Sequence, residues 1–503
     1  MLSMKNTKLK TTLYIAVMVL LVVAEALTAA IVLRLGMLPQ NYVIIFGVVL
    51  VLIASLVGLM MFLPGKKKKI SNARRIVACV LAFLMVCGCA VVSKIASDAY
   101  RAIDKVTQSG QEVNMRNMYV LVLTDDAAQT LVDTAEYNFG YVENYNLEQT
   151  EQALSVIETT IGKTPLLTNY VTAAEVAEAL LNSDVNAALM NGISITLLLE
   201  EEKFEDFMDK VRIVETIPYV KDDDNSQTEP EVVGEITEEP FIVYVSGSDT
   251  RSQILNISRS DVNILMVVNP VSKQVLLVNT PRDYYIPNPA GDGALDKLTH
   301  CGLYGVKCSM EALGGLYGVN INYYGQVNFT GFEKLVDAVG GITVYADQGF
   351  TALGGVYIQK GENNLNGAQA LSFARERYRV SGGDNGRGKN QMKVITAIVN
   401  KLTSGTTIIS KYSSILESMS GMFTTNISTE EIGDLVKMQL GDMAKWNIQS
   451  YAVTGRGGSQ KTYSMPGSNA YVMYPDEETV DHASALIEAV LAGDVITEED
   501  VKP

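Results

Sequence analysis

The stretch Phe373-Ala-Arg-Glu-Arg-Tyr-Arg-Val-Ser-Gly-Gly-Asp-Asn-Gly-Arg-Gly-Lys-Asn-Gln391 sets Arg375, Arg377, Arg379, Arg387 and Lys389 around a glycine-rich turn that also holds Asp384. Arginine stays charged at any ordinary pH, and its planar fork matches phosphate oxygens. Glycines let backbone N–H groups approach an anion closely. A solvated basic face is the plain alternative. Against it stands an apolar helical run (Ala368, Ala370, Leu371, Phe373, Ala374) that would dock the stretch onto a core. Three further charge pairs recur near the ends of expected strands: Asp249 with Arg251, Arg259 with Asp261, and Arg282 with Asp283. Arginines mixed with aspartates suit a pyrophosphate and a hard divalent cation. Mg²⁺ takes one or two carboxylates plus substrate phosphates, and the arginines neutralise the remaining charge.

Those residues must be held by a scaffold, and the pattern around them is α/β. From Phe241 onward, Phe241–Val245, Asp261–Val268 and Gln274–Asn279 read as strands, the last two as a hairpin joined by Asn269–Lys273. A loop carries the chain from Arg282 to Asp296-Lys297-Leu-Thr-His300. Helices are expected over Ser309–Tyr317, Phe329–Val339, Gln391–Leu402, Ile408–Met422, Thr429–Gln439 and Glu477–Leu491. Strands are expected at Tyr323–Asn328, Ile342–Tyr345 and Asn447–Val453, with a hairpin around Gly354-Gly355. In open α/β folds ligands collect at the carboxyl ends of strands, where these charges stand.

Upstream, residues 97–220 read as a smaller α/β domain without a catalytic constellation. It opens on a short helix. Strands follow at Met118–Leu123, Ala187–Met190, Ile193–Leu198 and Val211–Tyr219, with helices at Thr150–Thr159 and Ala173–Asn182. Residues 221–240 are acidic and low in aromatics, a linker by composition. Residues 241–503 then form the domain that carries the charges.

Residues 1–96 hold three long apolar runs, Leu13–Leu33, Tyr42–Leu63 and Ile76–Val92. Each approaches the length of helix needed to cross about 30 Å of hydrocarbon. Lysines and arginines flank the runs at Lys5–Lys10 and Lys66–Arg75, while the loop between the first two runs is uncharged. That asymmetry places the N-terminus in the cytoplasm and everything beyond residue 96 outside. Residues 1–96 contain 11 Lys and Arg and one acid, a charge of +10, which leaves −26 on the remainder of a chain whose net charge is −16. So acidic an ectodomain argues against nucleic acid as its partner. The acid, Glu25, lies within an apolar run, where it either packs between helices or snorkels.

Two histidines, His300 and His482, leave little material for a His–Asp–Ser relay. Of five cysteines, Cys301 and Cys308 lie outside the membrane. Seven residues on one helix span about 10 Å, too far for a disulfide. A turn at Gly302 and Gly305 would bring the two together, and a bridge is expected there.

At the charged residues the chain resembles the LytR-CpsA-Psr family of cell-envelope phosphotransferases. The matching pieces stand in the family's order. They are Gly247-x-Asp249, Arg259-Ser-Asp261, Pro281-Arg-Asp283, Asp296-Lys-Leu-Thr-His300, Val327-Asn-Phe-x-Gly-Phe332 through Val339-Gly-Gly-Ile342, Leu365-Asn-Gly-x-Gln-Ala-Leu371, Ala374-Arg-x-Arg377, and Gly383-Asp-Asn-Gly-Arg387 with Gln391. The three-helix anchor and accessory domain look like the capsule-associated branch. The resemblance implies a mixed central sheet flanked by helices, beside the smaller α/β accessory domain and the membrane anchor. It implies transfer of a glycopolymer (capsular polysaccharide, teichoic acid or similar) from a polyprenyl-(pyro)phosphate carrier to peptidoglycan through a phosphodiester, outside the membrane, with capsule or cell-wall synthesis proteins as further partners. By motif, Asp249 and Asp261 would hold Mg²⁺, with Mn²⁺ as an alternative. Arg282, Lys297, Arg375, Arg377, Arg387 and Gln391 would contact the pyrophosphate, and Asp384 would orient the arginines. Asp283 or Asp261 would serve as base. Two readings compete: a polyprenyl-pyrophosphate phosphatase using water as acceptor, and a lipid-carrier-binding regulator without chemistry.

Overall fold

The computed structural model describes residues 2–36, 38–63, 72–108, 117–143, 147–199, 201–219, 233–248, 259–404, 415, 423–467 and 469–502. Asp249, Arg251, most of the acidic linker and nearly all of the helix expected over Ile408–Met422 lie outside the described residues.

Three helices open the chain: α1 (Leu2–Leu35), α2 (Gln40–Phe62) and α3 (Asn72–Gln108). Within them, Thr11–Arg34, Gln40–Phe62 and Asn72–Asp98 are long and apolar enough to cross a membrane. They pack on one another through Leu21, Val57, Met61, Ala78 and Ala82, while Leu52 and Phe83 face outward. Thr28 ties α1 to α3 by donating to the Cys89 carbonyl at 3.3 Å. Glu25 is buried, so it turns toward partner helices and does not snorkel. The short helix expected after Ser97 is the continuation of α3. No Gly or Pro interrupts the chain between Gly88 and Gly110, so the helix runs on to Gln108, 37 residues in all. At 1.5 Å per residue that is about 55 Å, well beyond a bilayer's apolar thickness.

The smaller domain contains β1 (Met118–Leu123), β2 (Asn138–Val142), α4 (Leu147–Ile161), β3 (Leu166–Tyr170), α5 (Ala173–Leu181), β4 (Ala187–Asn191), α6 (Gly192–Leu198), the one-turn α7 (Phe207–Lys210) and β5 (Val211–Ile217). Its sheet has the order β3-β2-β4-β1-β5. Strands β2 and β3 add to the elements expected from the sequence. The strand expected at Ile193–Leu198 is helix α6. The Asn191 side chain accepts from the Ser194 N–H at 2.7 Å and caps the helix. The alternation of Ile193, Ser194, Ile195 and Thr196 reads as a strand, but burial on every side and the cap override it.

The larger domain is built on β6 (Phe241–Ser248), β7 (Ser260–Asn269), β8 (Gln274–Asn279), β9 (Tyr285–Pro287), β10 (Leu295–Lys297), α8 (Leu298–Cys301), α9 (Val306–Tyr317), β11 (Tyr323–Asn328), α10 (Phe329–Ala338), β12 (Ile342–Ala346), β13 (Phe350–Thr351), β14 (Tyr357–Ile358), β15 (Gly361–Leu365), α11 (Gly367–Arg375), α12 (Asp384–Thr403), β16 (Phe423–Thr425), α13 (Thr429–Asp442), β17 (Asn447–Ala452), β18 (Gly455–Gln460), β19 (Ala470–Pro475) and α14 (Glu477–Ala492). The central sheet runs β16-β11-β6-β7-β8-β17 and is mixed: β11 is parallel to β6 and β17 to β8, whereas β7 is antiparallel to both of its neighbours. Ile242, Tyr244, Leu265 and Leu276 pack with α9 and α14 on one face. Val243, Ile264 and Leu277 pack on the other face with Met392 of α12. Burial on both faces explains why β6 to β8 read as near-continuous apolar runs. Each such side chain contributes about 1.5–3 kcal/mol. Leu303, Tyr304 and Met465 reach into the smaller domain's core and join the two units.

Cys301 ends α8 and Cys308 lies in α9, with Gly305 at φ 107° turning the chain between them. Both thiols are buried and unbridged, which overturns the expected disulfide. Cys308 donates to Asn288 Oδ1 at 3.2 Å. The hydrogen bond with Cys308, and then burial, push the Cys301 thiol well above its ordinary value, so the thiolate needed for oxidation is scarce. Mass spectrometry of the unreduced protein is expected to show both thiols free, and alkylated only once denaturant is added. A bridged pair in freshly purified protein would overturn this.

Candidate active site

Strands β6, β8 and β11 end on the same edge of the sheet, where β7 begins. The β6–β7 register slips between Gly247 and Ser248: Gly247 pairs with Val262 and Ser248 with Ser260. Asp261 is the residue left over. A bulge re-aims the side chain that it leaves unpaired, and Asp261 Oδ1 accepts from Arg282 Nη1 at 2.6 Å. Gly247 has no room for a side chain, since a Cβ would lie 2.7 Å from Val262.

Beyond β8 the chain turns through Pro281-Arg282-Asp283. Lys297 Nζ lies 2.5 Å from Asp283 Oδ1, a close ion pair without hydrogen-bond alignment. The segment between Arg282 and Lys297, expected as a loop, is instead the β9–β10 hairpin, in which Lys297 pairs with Tyr285. The hairpin places Lys297 beside the arginines. Beneath it, Asp296 is fully buried, 2.7 Å from His300 Nδ1, and accepts from Asn288 Nδ2 at 3.0 Å and from the Ser464 hydroxyl. Of that cluster, Asp296 and His300 belong to a motif of the sequence, whereas Asn288 and Ser464 carry no sequence signal.

Burial pushes the Asp296 carboxyl up, but hydrogen bonds from His300, Ser464 and Asn288 outweigh it and hold the group below its ordinary value of 3.8. A carboxyl depressed in the folded state stabilises the fold above its unfolded pKa, and that contribution is lost as pH falls through the folded value. The difference in Tm between wild type and Asp296→Asn is therefore expected to be full at neutral pH and to shrink below about pH 4. A difference independent of pH would remove the ionised Asp296.

The basic stretch falls into two pieces. Arg375 ends α11, with its guanidinium carbon 4.3 Å above the Phe329 ring centroid. The buried Glu376 accepts from the backbone N–H groups of Tyr378 and Arg379 at 2.9 and 3.0 Å and folds the chain back. Arg377 is exposed, and its guanidinium stacks on Tyr378. Gly382 and Gly383, both at positive φ, make the turn. The helix then begins at Asp384, seven residues before the expected start at Gln391. Gly386 and Gly388 belong to that helix and serve close packing: a Cβ would lie 2.2 Å from the Ser381 carbonyl oxygen or 2.3 Å from Asn279 Nδ2. They do not cradle an anion.

Arg387 Nη2 lies 2.6 Å from Asp384 Oδ1, and the arginine side chain is 11% exposed. Burial pushes its guanidinium below the ordinary value, as do the charges of Arg282 and Arg377, against the pull of Asp384 and Asp261. Two enclosed guanidiniums, Arg282 and Arg387, with a third nearby are relieved by a multivalent anion. Next to it opens a cavity of about 90 Å³, lined by Val245, Val262, Phe332, Leu371, Arg375 and Gln391. A charged end and an apolar wall in one site suit an amphipathic phosphate ester.

Among the described residues no three His, Cys, Asp or Glu converge as metal ligands. Asp261, Asp283 and Asp384 are each engaged by a cation of the cluster and do not converge on one point. That fits a cation which takes most of its ligands from phosphates and water, and not a closed protein cage.

The LytR_cpsA_psr family model matches residues 211–484, more than half of the chain. The chain belongs to the LytR-CpsA-Psr family. A relative from Enterococcus faecalis, named polyisoprenyl-teichoic acid–peptidoglycan teichoic acid transferase TagU, is 38% identical over 196 residues, which are 39% of this chain and 64% of that protein. One of the same name from Bacillus mycoides is 34% identical over 221 residues, 44% of this chain and 70% of that protein. The crystal structure of B. subtilis TagV is 26% identical, with a TM-score of 0.43 over 52% of this chain and 99% of that one. TagT bound to LI-WTA is 24% identical, with a TM-score of 0.43 over 53% of this chain and 96% of that one. The family match covers every element of the LytR-CpsA-Psr site described above.

Proposed function

We propose that this protein transfers a glycopolymer from a polyprenyl-(pyro)phosphate carrier to peptidoglycan through a phosphodiester bond. The observation that carries the reading is the pair of enclosed arginines, Arg282 and Arg387, with the exposed Arg377 near enough to repel Arg387, beside an apolar cavity. The relatives named transferases of polyisoprenyl-linked teichoic acid to peptidoglycan point the same way.

In this reading Arg282, Arg375, Arg377 and Arg387 hold the pyrophosphate oxygens, with Lys297 beside them and Gln391 and Arg375 at the mouth of the lipid cavity. Asp384 orients Arg387. A sugar hydroxyl of the acceptor attacks the phosphorus that bears the glycan. The new O–P bond forms as the bridging P–O bond breaks, and polyprenyl phosphate leaves. Most of the work is positioning and charge stabilisation. Asp261 and Asp283 stand paired to Arg282 and Lys297. Either can take the hydroxyl proton once its cation turns to phosphate. A bound Mg²⁺, with Mn²⁺ as substitute, would be held by Asp261 and by Asp249 and would spread the developing charge.

The charge asymmetry around the apolar helices supports an N-terminus inside and both domains outside. A tag following Gln108 should be reached by antibody on intact cells, and protection there would reverse the orientation. The deciding assay incubates the full chain with lipid-linked glycan and Mg²⁺, with and without peptidoglycan oligomers, and follows products by mass spectrometry. A glycan–peptidoglycan phosphodiester that vanishes with chelator supports the whole reading. Free glycan phosphate as the sole product would make the protein a phosphatase, and unchanged substrate would make it a binder.

A further inference from the structure

The β18–β19 hairpin is built in an unusual way, and the phosphate site makes no use of it. Strand β18 is Gly455-Arg-Gly-Gly-Ser-Gln460. Glycine weakens a strand interior unless something must come close to the backbone. Here a Cβ at Gly458 would lie 2.4 Å from the Tyr474 ring, and one at Gly457 would lie 2.9 Å from the Tyr471 hydroxyl. The glycines thus let two tyrosines lie flat across the strand. Cross-strand pairing sets Arg456 opposite Tyr474 and Ser459 opposite Tyr471, so the two rings lie on opposite faces.

On the Tyr474 face the surroundings are ordered. The Arg456 guanidinium sits 5.7 Å from the ring centroid. Gln460 Nε2 donates to the Tyr474 hydroxyl at 2.8 Å. Tyr285 meets the ring edge-on, with centroids 6.0 Å apart. Arg456 and Gln460 are exposed, and the two tyrosines are partly so. The face is also wired to the reactive charges. The Met473 N–H donates to the Asp283 carbonyl at 2.7 Å. Tyr285 pairs across β9–β10 with Lys297, whose ammonium lies against Asp283.

We propose that Tyr474, Tyr285, Arg456 and Gln460 form the platform on which the acceptor glycan strand lies. The inference rests on the transfer reading above. A sugar ring offers a C–H face to an aromatic ring and a rim of hydroxyls to flanking donors, which is what a tyrosine between an arginine and a glutamine receives. Direction selects the acceptor over the donor. In an in-line displacement the attacking and leaving oxygens lie on opposite sides of the phosphorus. The lipid cavity adjoins Arg375 and Gln391, whereas the platform adjoins Asp283 and Lys297. The leaving lipid phosphate and the entering sugar hydroxyl thus each have their own flank.

The test measures transfer by the full chain against varied acceptor, using peptidoglycan glycan oligomers, and acceptor binding without donor by calorimetry. Tyr474→Ala and Arg456→Ala are expected to raise the acceptor KM roughly three- to tenfold. The donor KM and the rate at saturating acceptor should hold. Tyr474→Phe, which keeps the ring, should restore most of the affinity. Unfolding temperatures check that the variants fold, and the exposed Arg456→Ala serves if Tyr474→Ala does not. An unchanged acceptor KM, or a rise confined to the donor KM, overturns the platform. Glycan binding that depends on Tyr474 in a protein that performs no transfer would keep the platform and sink the transfer reading. Loss of both transfer and binding in the wild type overturns the two together.

Discussion

Replacing Arg387 with alanine is expected to lower the transfer rate by about 10²–10³-fold, the usual cost of removing one preorganised donor from a developing oxyanion. The Arg387 side chain is 11% exposed, less than that of Arg282 at 14%, and the fields of Arg282 and Arg377 reach it. Its place is therefore unfavourable without an anion and favourable with one. That asymmetry gives the prediction a second, independent sign. Removing a crowded buried cation should leave the Tm of the unliganded protein level or raise it, as is usual where function is held against stability. Asp384, at 27% side-chain exposure, stays partly solvated when its partner goes. Arg387→Lys keeps the charge and loses the fork, so an intermediate rate is expected. Initial rates with lipid-linked donor, together with thermal unfolding, check both signs. Wild-type turnover in Arg387→Ala would take this residue out of the site.

Gly386→Ala is expected to cut transfer by tenfold or more and to destabilise the fold by about 1–3 kcal/mol, although Gly386 contacts no substrate in the proposed reaction. The added Cβ would lie 2.2 Å from the Ser381 backbone oxygen and 3.1 Å from Val380 Cγ2. A backbone oxygen cannot swing aside as a side-chain tip can. The turn at Gly382-Gly383 must then part from the first turn of α12, which carries Asp384 and Arg387. Gly315, exposed on α9, is the control: a Cβ there meets nothing within 4 Å. Gly315→Ala is expected to be neutral or to stabilise by about 0.4–1 kcal/mol, with transfer unchanged. Equal behaviour of the two alanine variants would show that α12 does not depend on the close turn.

What the sequence by itself determined was whatever is local. The apolar runs of α1 to α3 declare themselves by length, and β6 to β8 by unbroken burial. The long amphipathic helices carry their period, and the order of the charged motifs identifies the family. Such signals survive because each residue contributes independently of its partners across the fold. The tertiary structure alone decided what depends on registry. Asp261 faces Arg282 because a bulge displaces it by one position, and no pattern within β7 encodes where β6 slips. Lys297 reaches Asp283 because a short hairpin replaces an expected loop. Gly386 and Gly388 look like an anion-binding turn until the helix that contains them is seen packed on Asn279 and Ser381. The Ile193–Leu198 run is a helix because Asn191 caps it, against the strand-like alternation of Ile193, Ser194, Ile195 and Thr196. Cys301 and Cys308 meet as the chain's turn allows, yet stay thiols, because burial and hydrogen bonding disfavour the ionised form that oxidation requires. Composition and period are written along the chain, whereas register, bulges and buried charge arise only when distant segments pair.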